Sequence, residues 1–142
     1  MRRFLLVLVL VLALSTVLAA CGGGGGEEAS EVASSGPVGN PARGQKLYEQ
    51  TTIGTASAPG CITCHSLEPG VVVVGPSHAG VGTRAGTYVE GMSAEEYLHE
   101  SIVSPDAHVV EGFTPGVMYQ NFGQELNEQE IADLVAYLLT LK

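Results

Sequence analysis

The hydrophobic residues of the chain are grouped rather than spread. A nearly unbroken apolar run from Phe4 to Ala20 opens it, a stretch without apolar periodicity occupies Gly22 to Gly39, and helical spacing appears only beyond. The clearest recurrence is Ile131, Leu134, Val135, Leu138 and Leu139, one apolar stripe of a predicted helix. Its start is marked by Asn127 with Glu130 three residues on, and Leu126 and Ile131 are placed as a hydrophobic staple. A second helix is predicted from Ser93, which with Glu96 matches a capping box, through Tyr97, Leu98 and Ile102 until Pro105 stops it. A third opens at Asn40-Pro41, cap and first turn, and is expected to reach about Gln50. The glycine-rich middle, Thr51 to Gly91, has few periodic signals and reads mostly as loops wrapped around something. No strand pair or internal repeat is evident, although Val71 to Val74 suits a short extended segment. The fold class expected is all-α, with three to four short helices.

Composition changes the picture at the N-terminus. Met1, Arg2 and Arg3 ahead of the Phe4 to Ala20 run, with Cys21 behind it, have the three-part layout of an export signal, so residues 1–20 are expected to be a signal peptide and the protein to work outside the cytoplasm. The other reading of the run is an uncleaved membrane helix, for which it is short. Leu18-Ala19-Ala20-Cys21 resembles a bacterial lipobox, which implies lipidation of Cys21 and an anchor on the outer face of the cytoplasmic membrane. Residues 21–40 then form a tether of glycine, serine and glutamate. Such a coil has an end-to-end distance of roughly 25 Å. Its five consecutive glycines follow no strand and precede no Lys-Ser/Thr, so they are no phosphate cradle.

The folded domain, residues 41–142, is small for its loop content, and a core built of side chains alone would be thin. Something other than side chains is expected to fill the centre. The remaining cysteines say what. Cys61-Ile62-Thr63-Cys64-His65 is a C-x-x-C-H, the arrangement that attaches c-type haem. On a helical turn residues three apart share a face, so both thiols reach one edge of a porphyrin while the adjacent imidazole projects toward the iron. A thioredoxin-like pair would need a βαβ context and a zinc site a second Cys/His pair, and the sequence offers neither.

From about Pro41 to Lys142 the chain resembles a class I cytochrome c. The residues that carry the resemblance are Gly44 and Tyr48 in the first helix, Cys61, Cys64 and His65, Gly75-Pro76, Met118 in Gly116-Val117-Met118, and Leu134 with Tyr137 in the last helix. The resemblance implies one covalently attached haem c, held through Cys61 and Cys64, with His65 as proximal ligand. It implies that the Pro76 carbonyl orients that imidazole, that Met118 is the second iron ligand, and that Arg84 lies near a haem propionate. It also implies that the first and last helices cross where Gly44 and Tyr48 meet Leu134 and Tyr137. Met92, just ahead of a capped helix, reads as a packing or surface residue, and His78, His99 and His108 as surface histidines. Phe113, Phe122, Tyr88, Tyr97, Ile102, Val117 and Leu126 are candidates for the haem lining. Relatives often follow the ligand methionine with proline, and here Tyr119 stands in its place.

A thioether opposite an imidazole favours ferrous iron and closes both axial positions, which leaves one-electron transfer as the expected chemistry rather than catalysis on substrate. With the lipobox, the domain is similar to the small lipoprotein cytochrome c subunit of alternative complex III, a bacterial quinol oxidoreductase. The implied partners are the membrane and a respiratory or photosynthetic electron-transfer complex, either as shuttle or as fixed subunit. An enzyme or gas sensor with an open sixth position is the competing class. Charge excludes a basic nucleic-acid binder: residues 21–142 hold 15 acidic and 4 basic side chains. If that acidity surrounds the haem edge, the electron-transfer partner should present a basic patch.

Overall fold

The computed structural model describes residues 36–142. The expected signal peptide, the lipidation site Cys21 and the tether up to residue 35 lie outside the described residues. Among the described residues five α-helices dominate: α1 (Pro41–Tyr48), α2 (Val81–Arg84), α3 (Ala94–Val103), α4 (Phe122–Glu125) and α5 (Glu128–Thr140). Short 3-10 turns occupy Cys61–Thr63 and Ala85–Thr87, and two antiparallel strands, β1 (Thr52–Ile53) and β2 (Ala58–Pro59), form a minimal hairpin. The all-α expectation therefore holds for the class. The expectation that there is no strand pair does not, because two-residue strands are too short to show any alternation.

Each long helix starts where its cap lies in the sequence. The Asn40 side chain accepts hydrogen bonds from the amides of Ala42 at 3.0 Å and Arg43 at 3.1 Å, with Pro41 in the first turn. Ser93 with Glu96 and Asn127 with Glu130 each close a reciprocal capping box. Helix α1 ends at Tyr48, short of the expected Gln50, because the chain turns there into the hairpin and the Gly60 amide donates to the Thr51 carbonyl at 2.9 Å. Helix α3 stops at Val103, just ahead of Pro105.

The frame of the domain is the contact of α1 with α5. A Cβ on Gly44 would collide with the Asp133 carbonyl oxygen and lie 2.8 Å from the Tyr137 Cβ, so only glycine lets the two backbones approach this closely. Tyr48, fully buried, meets the Tyr137 ring edge-on at 5.3 Å between centroids. Asp133 ties the crossing electrostatically. Its buried carboxylate accepts from the Asn40 amide at 2.6 Å, from Arg43 at 2.6 and 2.9 Å, and from Gln129 at 3.0 Å. These donors, Arg43 foremost, hold its carboxyl below the ordinary aspartate value. The α5 stripe buries Ile131, Leu134, Val135 and Leu138 against Tyr97, Leu98 and Ile102 of α3 and the rest of the core. No helix among the described residues is long and apolar enough to cross a membrane.

Candidate functional site

Cys61 to Thr63 form a tight 3-10 turn after Gly60, closed by the Thr63 hydroxyl donating to the Gly60 carbonyl at 2.6 Å. The Cys61 carbonyl then accepts from the amides of both Cys64 and His65, at 3.2 and 3.0 Å, which keeps the three functional residues in one turn. No disulfide joins Cys61 and Cys64, and burial pushes the Cys61 thiol up to about 11. His65 is buried. Its Nδ1 lies 2.8 Å from the Pro76 carbonyl oxygen, where only a protonated Nδ1 can donate, so the other ring nitrogen, Nε2, is left with its lone pair. Burial lowers the imidazole below its ordinary value, with the Pro76 carbonyl acting against that, and the ring is neutral and suited to a metal.

The loop carrying Pro76 is clamped to the attachment turn. The Cys64 carbonyl accepts from the Val74 amide at 3.1 Å and the Gly75 amide at 2.9 Å, and Val72 forms an antiparallel bridge with His65. A Cβ on Gly75 would run into the His65 ring at Cε1, so glycine at this position lets the imidazole lie against the backbone.

His78 departs from the surface role expected for it. Its ring stacks on His65 at 3.9 Å between centroids and 14° between planes, and its Nδ1 lies 3.1 Å from the Tyr48 hydroxyl. Burial, with the charges of His65 and Arg84 adding to it, lowers its value to about 3. Tyr48 also donates toward the His65 carbonyl at 3.3 Å, so the helix-crossing aromatic reaches the site as well. Sequence reasoning missed this layer under the ligand, and its only signal was that His78 follows Gly75-Pro76 closely.

A cavity of about 410 Å³ opens above His65. Cys61, Cys64, His65, Pro76, Arg84 and Met118 all line it, so the six residues that the resemblance assigns to haem attachment, ligation and propionate contact converge on one space. Of the expected lining, Tyr88, Tyr97, Ile102, Phe113, Val117 and Phe122 are present, whereas Leu126 turns into the core below. Met92 packs on the core and is no part of the cavity. His99 is exposed and away from it, and His108 borders it while pairing with Glu100 at 3.1 Å. Arg84 is held by the Ser77 carbonyl at 2.9 Å, the Ala79 carbonyl and the Tyr88 hydroxyl at 3.2 Å, so its guanidinium is fixed at the cavity wall. Arg84 and Asp106 are the only formally charged side chains in the lining; the acidic excess lies elsewhere.

Two thiols, a neutral imidazole with one nitrogen free, a thioether sulfur and apolar walls form the donor set of a covalently bound haem. The family model for cytochrome c matches residues 41–142, starting at the first residue of α1. The chain belongs to the cytochrome c family. Domains of this family bind covalently attached haem c, usually one per domain, and carry out haem-based electron transfer. Among curated proteins none matches the chain. The residues present fit the group: Cys61 and Cys64 would hold it through thioethers and His65 would ligate its iron. Haem c bound there supplies a one-electron iron couple. The chain's own part is to orient the proximal ring through Pro76 and to keep water from it with the aromatic and aliphatic lining.

Proposed function

We propose that this cytochrome c is a membrane-anchored, monohaem electron carrier with His65 and Met118 as axial ligands. It takes single electrons from a quinol-oxidising complex and passes them to a terminal oxidase or another haem acceptor. A lipid on Cys21 holds it at the outer face of the cytoplasmic membrane after residues 1–20 are removed, and the tether of residues 21–40 lets the domain reach its partners. The observation that carries this reading is the convergence of Met118 and His65 on one cavity with both attachment cysteines. With both axial positions filled, substrate has no access to the iron and outer-sphere electron transfer is the remaining chemistry. Arg84, fixed at the wall, is assigned to a haem propionate.

Optical spectra of the ferric protein test the ligand set. The weak thioether-to-iron charge-transfer band is expected in the wild type and absent in Met118→Ala; a five-coordinate spectrum unchanged by the substitution would assign an open haem enzyme or sensor instead. Cys21→Ser is expected to release the protein from the membrane fraction. Mild-detergent solubilisation followed by sizing separates shuttle from subunit. Co-migration of the haem with several other chains matches the lipoprotein cytochrome of an alternative complex III type assembly, and a lone small species matches a shuttle.

A further inference from the structure

Several large apolar side chains of the described residues are exposed for a reason other than lining the cavity. Val74, Tyr88, Val109 and Val117 border the cavity and are shielded once it is filled; Ile62, Leu67, Val71, Val72 and Val73 are not part of it. Val72 and Val73 are 60% and 56% exposed. The valine run lies beside the attachment turn that carries Ile62, fastened to it through the Val72–His65 bridge and the Val74–Cys64 hydrogen bond, and beside Leu67, next to which the Glu68 carbonyl accepts from the Val71 amide at 3.2 Å. Its last member, Val74, passes directly into the cavity wall. Three consecutive valines facing water, Val71 to Val73, lose free energy that burial would recover, and an apolar patch of this kind marks a surface made to be covered.

Charge says what covers it. From Gln50 to Thr83 Glu68 is the only charged side chain, whereas residues 90 to 133 hold ten acids and no base. A basic partner face, which the net charge alone would suggest, finds nothing to pair with on the valine patch. A second copy of this chain, or an anionic lipid surface, is opposed by the acidic excess that the chain carries as a whole. A partner that exchanges an electron with haem held by Cys61 and Cys64 must come close to it, and the valine run adjoins that site through Val74 in the cavity wall. We infer that the surface formed by Ile62, Leu67 and Val71–Val73 is the docking face for an electron-transfer protein whose own docking face is apolar and uncharged. The inference rests on the electron-carrier reading above. It makes encounter insensitive to salt, unlike docking through charged rings.

The test uses the full-length haem-loaded protein and membranes of the source organism lacking this protein, energised with a quinol. Reduction of the haem is followed optically, with ferrocyanide as a small-molecule control that needs no docking face. The wild-type rate is expected to change less than about twofold from low to high salt. Val72→Ser/Val73→Ser is expected to slow it at least about tenfold, the signature of about 1.4 kcal/mol of lost docking, while the ferrocyanide rate and the optical spectrum stay unchanged. A rate untouched by the substitutions, or a wild-type rate that falls steeply with salt, overturns the docking face alone. A wild type that reacts with ferrocyanide but not with the membranes overturns the carrier reading and the docking face with it. An environment-sensitive probe on Val73→Cys reports the other occupants. Burial of the probe in protein-free liposomes carrying sparse cytochrome assigns the patch to lipid, and burial that rises with cytochrome density assigns it to a second copy; either result overturns the inference.

Discussion

Gly75 and Asp133 show how much single positions decide. At Gly75 any side chain meets the His65 ring, whose orientation depends on the neighbouring Pro76 carbonyl. Gly75→Ala is therefore expected to destabilise the haem-loaded protein by about 1–3 kcal/mol, the usual cost of overpacking, and to perturb the Soret band as the imidazole tilts; denaturant titration and the spectrum read the two effects separately. At Asp133 the carboxyl is held below its ordinary value, chiefly by Arg43. A group with a depressed folded value stabilises the fold fully above its unfolded value of about 3.9, and that contribution fades as pH falls through the lower folded value. Asp133→Asn should thus melt at a lower temperature than the wild type at pH 7, and the gap should narrow as both are titrated into acid below the ordinary aspartate value; a gap that persists unchanged in acid would mean the carboxylate charge is not what ties α1 to α5. That Cys61, Cys64 and His65 belong together was legible from side-chain type and spacing, and Met118 joined them only through the family resemblance; the structure brings all four to one cavity. His78 was not legible. Its role comes from a stacking contact that only the folded loop creates.

Elements divide the same way by length. The three helices of eight or more residues were readable from caps and apolar stripes, since each offers at least two turns of pattern. Helices α2 and α4, four residues each, and the two-residue strands carry no period and were hidden in what read as loop. The α1–α5 contact gives a prediction by sign. In an isolated helix Gly→Ala stabilises by roughly 0.5–1 kcal/mol, but Gly44→Ala places a methyl group on the Asp133 carbonyl and is expected to lower the unfolding free energy instead. The loop after Met118 holds itself without proline. The Tyr119 hydroxyl donates to the Glu125 carboxylate, the Tyr119 ring meets Phe122 edge-on at 5.1 Å, and the other Glu125 oxygen accepts from the Ala56 amide at 3.2 Å. The loop that carries Met118 is thereby pinned to α4 and to the hairpin. In Tyr119→Phe the hydroxyl anchor is lost and the ring is kept, so the thioether-to-iron band should disappear at a lower temperature than in the wild type while global unfolding shifts less; equal shifts would show that the loop is held by packing alone.

At the scale of the whole molecule, the thin core inferred from the sequence and the central cavity are one fact. Leu134, Leu138, Tyr97, Leu98, Ile102 and Phe122 belong to the buried core and also line the cavity, so the cofactor site is not a pocket on a finished domain but part of its interior. An unfilled core costs about 24 cal/mol per Å³, and for 410 Å³ that corresponds to about 10 kcal/mol, against a whole-domain stability of about 5–15 kcal/mol. Water entering the open side reduces the figure, yet half of it still removes most of the margin. The chain with both attachment sites removed, Cys61→Ala/Cys64→Ala, prepared without haem, is expected to lose cooperative thermal unfolding. The capped helices α3 and α5 carry local signals that do not depend on the cavity, so part of the far-ultraviolet helical signal should survive while near-ultraviolet tyrosine and phenylalanine dichroism disappears. Calorimetry decides the point. A haem-free protein that melts in one sharp transition within a few degrees of the haem-loaded form would mean that the α1–α5 crossing and its Asp133 network suffice for the fold, and that the cavity is a preformed container; a broad, heat-poor transition means that the cofactor completes the core and that folding and haem attachment are one event.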